Sequence, residues 1–280
     1  MFFLHPLTMR IYPNAKINIG LNVTERRPDG YHNIETIFYP IGLYDVLSIE
    51  PSESAADYSF SSSGIEIKGN PEDNLIIKAY RLLRTEYQFP PIDISLLKQI
   101  PFGAGLGGGS ADAAFTLKAI NELFDLHIST KELEYFAAKL GADCPFFIQN
   151  KPTFATGIGN IFTPVNLSLQ GYWLLLVKPD IHISTAEAYA GVTPKVPEIK
   201  LSELIKRPVG EWKNLIFNDF EPSIFHKHPK IALIKRELYE MGALYASMSG
   251  SGSSVYGIFK KAPNYKGKFV DCFTFLGKIQ

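Results

Sequence analysis

Cysteine, charge imbalance and long apolar runs are all scarce in this 280-residue chain, and each scarcity removes a class of protein. The two cysteines, Cys144 and Cys272, cannot build a disulfide framework, and no CxxC or HxxxH spacing offers a zinc site. Twenty-eight Lys+Arg balance twenty-eight Asp+Glu, so the electrostatic footprint of a nucleic-acid coat protein or a polybasic membrane binder is missing. A neutral total leaves room for one local phosphate site. The longest strongly apolar stretch, Tyr172–Val177, is far short of the roughly 20 residues a membrane span needs. Met1–His5 has neither a basic start nor a long apolar stretch, which argues against a secretory signal, and it is too poor in Arg and Ser for a transit peptide. The expectation is a soluble cytoplasmic protein. What remains is an ordinary globular composition, 46% hydrophobic and 20% charged, with length for two modest domains or one large one.

Strands are expected over 10–50, where Ile17, Ile19, Leu21 and Val23 alternate and Pro28-Asp29-Gly30 marks a turn. The Ser-rich stretch Ser52–Gly64, followed by Ile65 and Ile67, suggests a hairpin at a sheet edge. A helix capped by Asp73 or Asn74 runs through Ile76, Ala79 and Leu83, and a strand over Ile92, Ile94 and Leu96 leads into Pro101. Ala113, Leu117, Ile120 and Phe124 lie on one helical face. Ser129 with Glu132 forms a capping box, and Gly141 suits a left-handed residue just past that helix. Residues 142–147 read as a turn into a strand, Thr156–Gly159 with Leu174–Val177 as a hairpin, Ile231–Met241 as a helix, and Ser247–Ser254 as a flexible bend before a strand at Val255–Phe259. Strands and helices mix without a strict βαβ rhythm, which makes the class α+β.

The densest signal is Pro101–Ser110, with glycine at 103, 105, 107, 108 and 109, lying between a strand and a helix. Glycine permits left-handed backbone and leaves no side chain to block a ligand. The helix start beyond it offers unpaired N–H groups and the positive end of the helix dipole, an anion site needing no lysine. Gly103, Gly105 and Gly108 satisfy GxGxxG, but the chain enters another helix at Ser129 where a dinucleotide fold needs a second parallel strand. A Walker A loop would end in Gly-Lys-Ser/Thr, and Gly109-Ser110 has no lysine between. Neither Ser110 nor Ser251 has both flanking glycines of GxSxG. Cations must come from elsewhere. Lys16, among Ala15, Ile17 and Ile19, is expected to be partly buried with a partner, for which Asp143, in a turn fixed by Gly141 and Pro145, is the candidate; a turn or cap role for Asp143 is the alternative.

These pieces resemble the kinase superfamily named for galactose, homoserine, mevalonate and phosphomevalonate kinases (GHMP), whose hallmark Pro-x-Gly-x-Gly-Leu-Gly-Ser/Gly-Ser is matched by Pro101–Ser110. Ala15-Lys16-Ile17-Asn18, Asp29-Gly30-Tyr31-His32, Asp73-Asn74-Leu75, Gly141–Pro145, Asn218–Glu221 and Ser249–Gly252 extend the resemblance over nearly the whole chain. The ordered set resembles those members that phosphorylate the 2-hydroxyl of a cytidine-diphosphate-linked methylerythritol on the non-mevalonate route to isoprenoid precursors. The resemblance implies a two-domain α+β kinase with mixed sheets, an ATP-binding domain over 1–160, a substrate-side domain over 161–280, and an active site in the cleft between them. It implies Asp143 as the base for the substrate hydroxyl and Lys16 as its ionic partner. Pro101, Gly103, Ala104, Gly105, Leu106, Gly107, Gly108, Gly109 and Ser110 would hold ATP phosphates with Mg²⁺, Ser110 being the metal candidate, and Asn74 and Lys98 would line the adenosine side. Tyr31 and Tyr189 would sandwich a cytosine whose edge His32 reads, with Asn18, Thr185, Gly250, Ser251 and Gly252 completing the acceptor site. Asp112 stands where relatives often carry Asn, and either serves the helix dipole or touches Mg²⁺. His226 and His228 read as a solvated turn. A homoserine- or mevalonate-type kinase, or a nucleotide binder without catalysis, are the alternatives, and neither nucleic acid nor membrane is an expected partner.

Overall fold

The computed structural model describes residues 8–54, 56–67 and 69–280. The segment bearing on a secretory signal, Met1–His5, lies outside them. In chain order the strands are β1 (Met9–Ile11), β2 (Asn14–Arg26), β3 (His32–Tyr44), β4 (Val46–Pro51), β5 (Tyr58–Gly64), β6 (Ile92–Lys98), β7 (Thr153–Thr156), β8 (Ile161–Pro164), β9 (Trp173–Pro179), β10 (Tyr245–Met248), β11 (Val255–Phe259) and β12 (Cys272–Lys278). The helices are α1 (Leu75–Glu86), α2 (Gly108–Leu123), α3 (Thr130–Leu140), α4 (Phe146–Gln149), α5 (Thr185–Ala190), α6 (Leu201–Leu204), α7 (Glu221–Lys227) and α8 (Pro229–Glu240). Among the described residues no helix is long and apolar enough to cross a membrane.

The chain divides into two compact units. One takes the chain up to Ala15, Leu43–Ile100 and Gly107–Asn150; the other takes Lys16–Gly42, Pro101–Leu106 and Lys151–Gln280. This departs from a single cut near residue 160, and strand pairing explains why. β3 pairs with β7 through Thr36↔Ala155 and Phe38↔Thr153, which ties residues 16–42 to the C-terminal half. Residues 101–106 follow because Ser249 donates to the Gly105 carbonyl and Ser254 N–H to Ala104.

In the first unit one sheet runs in the order β1-β4-β6-β5. The Ser52–Gly64 region contributes one strand rather than a hairpin: β5 lies parallel to β6 at the sheet edge, and a parallel neighbour needs a crossover, which α1 provides. Asn74 caps α1, its side chain accepting from Ile76 N–H, and the Ile76, Ile77, Tyr80 and Leu83 stripe is buried. The capping box of Ser129 and Glu132 opens α3 as expected. Gly141 is extended, not left-handed, with φ of 169°. Its glycine has a packing reason instead, since a Cβ there would come 3.3 Å from the Cys144 sulfur. The segment after it forms α4 instead of a strand; Phe146, Phe147 and Ile148 are all buried, and a short continuous apolar run does not distinguish the two.

The second unit holds two sheets, β2-β3-β7-β8 and β10-β11-β9-β12. The hairpin near residue 160 joins β7 to β8, while Leu174–Val177 belongs to β9 in the other sheet. Ile224, Ile231, Ile234 and Leu238 of α7 and α8 pack on Leu175, Val177, Met248 and Val255 of that sheet. β2 is buried on both faces from Asn14 to Leu21, so its polar residues must find partners inside. The bend before β11 is firm rather than flexible. β10 runs to Met248, Ser249, Ser253 and Ser254 are completely buried, and Asn218 donates from its side chain to the carbonyls of Met248 and Gly250.

At the nearest approach of loop 101–106 to this bend, Gly105 has φ of +73° and a Cβ there would fall 1.9 Å from the Ser249 carbonyl oxygen. Gly105→Ala is expected to cost about 2–4 kcal/mol, from strained backbone and overpacking together. Urea denaturation checks this; a loss below about 0.5 kcal/mol would contradict the close contact.

Candidate active site

In the first unit, α2 begins without help from its own sequence. Gly107 is left-handed and no side chain caps the helix, so its first-turn amides are offered to another acceptor. Gly108 is glycine for packing, because a Cβ there would come 2.8 Å from the Ile100 side chain and 3.2 Å from Lys98 Nζ. Gly109 has no such reason: a Cβ would meet only Leu75, at an ordinary 3.8 Å. Its bareness fits close approach by a ligand.

Ser110, in the same first turn, lies against the Cys144 side chain. α3 and α4, which flank the Gly141–Pro145 turn carrying half-buried Asp143, both pack against α2. Burial pushes the Cys144 thiol up to about 11, so it is protonated and inert as a nucleophile at neutral pH.

Beneath α2 lies a charged cluster that the sequence reading did not assemble. Lys98 Nζ donates to Asp45 at 2.5 Å and to Asp112 at 2.7 Å, with the side chains of Lys98 and Asp45 wholly buried. Asp45 also accepts from the backbone N–H of Gln99 and Ile100. The Lys98 side chain is therefore committed to this interior cluster. Asn74 likewise has its carboxamide oxygen committed to the α1 cap. Asp112 faces Lys98 in the interior. Burial, opposed by Lys98 and reinforced by Asp45, pushes the Asp112 carboxyl up to about 7.

In the second unit, Lys16 is buried at 3% exposure, donates to Asn18 Oδ1 at 2.6 Å, and has its ammonium 4.6 Å from the centre of the Phe38 ring. Its backbone N–H donates to Leu106, which fastens β2 to the glycine loop. Asn18 donates through its side chain to Thr36 and accepts through its backbone carbonyl from the Tyr256 hydroxyl; its N–H donates to Ser249 Oγ, which in turn donates to Gly105. Lys16, Asn18, the glycine loop and the Ser249 bend are therefore one bonded network. Within that bend Gly250 and Gly252 have positive φ, and a Cβ at Gly252 would come 2.6 Å from the Met248 sulfur; half-buried Ser251 lies between them. Gly103 has φ of +57°, which favours glycine, and a Cβ there would also meet the ring of His182, which sequence reasoning passed over, at 2.8 Å.

The aromatic set also lies in this unit. His32, not Tyr31, stacks on Tyr189, with centroids 4.7 Å apart and planes 19° apart. Tyr31, on the adjoining turn held by Asp29, is 62% exposed. Thr185 opens α5, which carries Tyr189, and is exposed. His228 bonds Glu187 at 3.0 Å rather than sitting in a solvated turn, while His226 is exposed.

The Asp112 shift has a stability consequence. Its carboxyl holds a proton more tightly folded than unfolded, so its contribution is full below about 4 and is lost as pH rises towards and through about 7. Asp112→Asn, facing the same Lys98 and Asp45, should flatten the decline in denaturation midpoint between pH 5 and 8. An unchanged slope would contradict the raised value.

Comparison with known proteins agrees with this anatomy. The GHMP kinases N terminal domain model matches residues 74–151 and the GHMP kinases C terminal model residues 201–266. The chain is 61% identical over 252 residues to the 4-diphosphocytidyl-2-C-methyl-D-erythritol kinase of Bacteroides fragilis, covering 90% of this chain and 92% of that one. It is 57% identical to the Parabacteroides distasonis enzyme of that name over 273 residues, 97% and 100% of the two chains. A crystal structure of 4-(cytidine 5'-diphospho)-2C-methyl-D-erythritol kinase superposes with a TM-score of 0.78 at 31% identity, covering 89% of this chain and 90% of that one. The Methanococcus jannaschii mevalonate kinase, at 15% identity and a TM-score of 0.66 over the whole of both chains, shares the fold. Motifs, fold and relatives converge: the chain belongs to the GHMP kinases and, among them, to the 4-diphosphocytidyl-2-C-methyl-D-erythritol kinase family.

Proposed function

We propose that the chain transfers the γ-phosphate of ATP to the 2-hydroxyl of 4-diphosphocytidyl-2-C-methyl-D-erythritol, the substrate named by its relatives. The observation that carries this reading is the uncapped, glycine-built start of α2, together with the packing of α3 and α4, which flank the Asp143 turn, against that same helix. A carboxylate next to a bare helix N-terminus suits proton acceptance from an alcohol as that alcohol meets a phosphate held by backbone amides.

In the proposed reaction the acceptor oxygen attacks the γ-phosphorus, the bond from γ-phosphorus to the β–γ bridging oxygen breaks, and ADP leaves. Asp143 takes the hydroxyl proton. Amides from Gly103 to Ser110 hold the phosphates, and the desolvated Lys16 ammonium offsets the charge of the transferring group, in the reading that resemblance supports. Phosphoryl transfer passes through a loose transition state, so holding reactants in line and neutralising charge matter more than a strong base. Among the described residues no group of three His, Cys, Asp or Glu could hold a metal alone. Mg²⁺ would therefore come with the phosphates, Ser110 supplying its hydroxyl, and would add charge neutralisation. The cytosine would stack within the Tyr31, His32 and Tyr189 set, where the existing His32–Tyr189 stack supports a flat aromatic guest.

The experiment is ADP release from MgATP with separate acceptors. Turnover of the cytidylyl methylerythritol alone supports the reading; turnover of homoserine or mevalonate instead would overturn the acceptor. Asp143→Asn should bind ATP normally and lose about 10²–10⁴-fold in kcat, as removal of a general base does. Near-normal turnover removes Asp143 from the chemistry. Tyr189→Ala should raise the acceptor KM about 5–100-fold, the equivalent of about 1–3 kcal/mol of base stacking, and leave the ATP KM alone. A parallel rise in both constants would contradict the assignment.

A further inference from the structure

The cluster beneath α2 has no role in the chemistry just described, yet it is the most deeply buried group of charges in its unit. Asp112 is 3% exposed and Lys98 1%. Ion pairs this deep contribute little net stability, because desolvation consumes most of the Coulombic gain. The cluster is also imperfect for that purpose: Asp112 Oδ1 is buried with no hydrogen-bond partner. An apolar residue at 112 would satisfy the interior better, so the carboxyl calls for a reason beyond stability.

Geometry supplies one. Lys98 ends β6, and its ammonium rises to within 3.2 Å of where a Cβ on Gly108 would stand, directly under the first residue of α2. Asp112 lies one turn further along α2, at hydrogen-bond distance from the same ammonium. Asp45, held by two backbone N–H groups just after β6, fixes Lys98 from the other side. The chain Asp45–Lys98–Asp112 thus couples the end of β6 to the first two turns of α2. That helix start has a left-handed glycine as its cap and glycine at its first two positions, and so has little stiffness of its own.

Resting on the kinase reading above, we propose that Asp45, Lys98 and Asp112 form a buried brace that fixes the N-terminal turn of α2 against β6, making Lys98 and Asp112 positioning residues for the ATP phosphates rather than groups that touch the nucleotide. The brace holds the amides of Gly108–Ser110 in register before the triphosphate arrives, so ATP binding pays less ordering entropy. The cytidylyl acceptor gains nothing from it. The expected signature is a defect confined to one substrate.

Asp112→Leu and Asp112→Asn test this. The leucine variant leaves Lys98 paired with Asp45 and removes the unpartnered buried oxygen, and is expected to fold with a melting temperature close to that of the parent. Its KM for ATP, and the Kd for a non-hydrolysable ATP analogue, should rise at least tenfold, with the acceptor KM unchanged within twofold. The asparagine variant keeps an oxygen for the Lys98 ammonium and should restore both ATP constants to within about twofold, at an unchanged Mg²⁺ requirement. A folded leucine variant with a normal ATP KM would overturn the brace. So would one that fails to fold, since the cluster would then serve the whole unit. An asparagine variant as impaired as the leucine one, or one demanding more Mg²⁺, would overturn it in favour of direct contact between the Asp112 carboxylate and the metal. Should the parent chain neither bind ATP nor turn over, the kinase reading itself falls, which is a separate result.

Discussion

A helix that does not cap itself is the constraint around which the first unit is arranged. The first amides of any helix need acceptors, and side chains provide them at the other two long helices of this unit: Asn74 for α1 and Ser129 with Glu132 for α3. At α2 the chain provides Gly107 and two further glycines, and leaves the demand open. Such an end is tolerable in a folded protein when solvent or an anion meets it, and the aligned peptide dipoles make a polyphosphate the better partner. The bonds around it serve to keep that end where it is. Packing against α3 and α4 holds it near the turn of Asp143, and the Lys98 cluster ties it to the sheet.

The second unit handles a different problem, that of burying a cation. Lys16 lies in a strand covered on both faces, where an uncompensated ammonium would be costly. It is held by the Asn18 carboxamide and the face of Phe38, and Asn18 is itself fixed by Thr36, Ser249 and Tyr256. The same Ser249 fastens the glycine loop. A single network therefore sets both the ammonium and the loop backbone. Gly105 is explained by how closely those backbones approach, and Gly250 and Gly252 by their positive φ.

Much of this was legible in the sequence because the signals are local. The capping box at Ser129, the cap at Asn74 and the strand-glycine-helix order around Pro101 each depend on neighbours within a few residues. What escaped was set by distance along the chain. Nothing near Lys98 announces that Asp45, 53 residues away, and Asp112 lie around its ammonium, and the resemblance offered only a place lining the adenosine side. Gly141 was read through its commonest use after a helix, whereas its backbone is extended and its tight neighbour is a sulfur three residues on. Ser247–Ser254 looked loose because Gly and Ser dominate it, and only the partners supplied by Asn218 and the glycine loop make it firm. The interleaved units were hidden for the same reason: β3 joins β7 across more than a hundred residues.

The central claim, that bare amides at the start of α2 receive the triphosphate, is most directly tested by amide NMR of the labelled protein titrated with a non-hydrolysable ATP analogue and Mg²⁺. The account predicts the largest shifts at the N–H groups of Gly108, Gly109 and Ser110, with the capped amides at the start of α3 unmoved. Saturable binding that leaves those three resonances in place would contradict it.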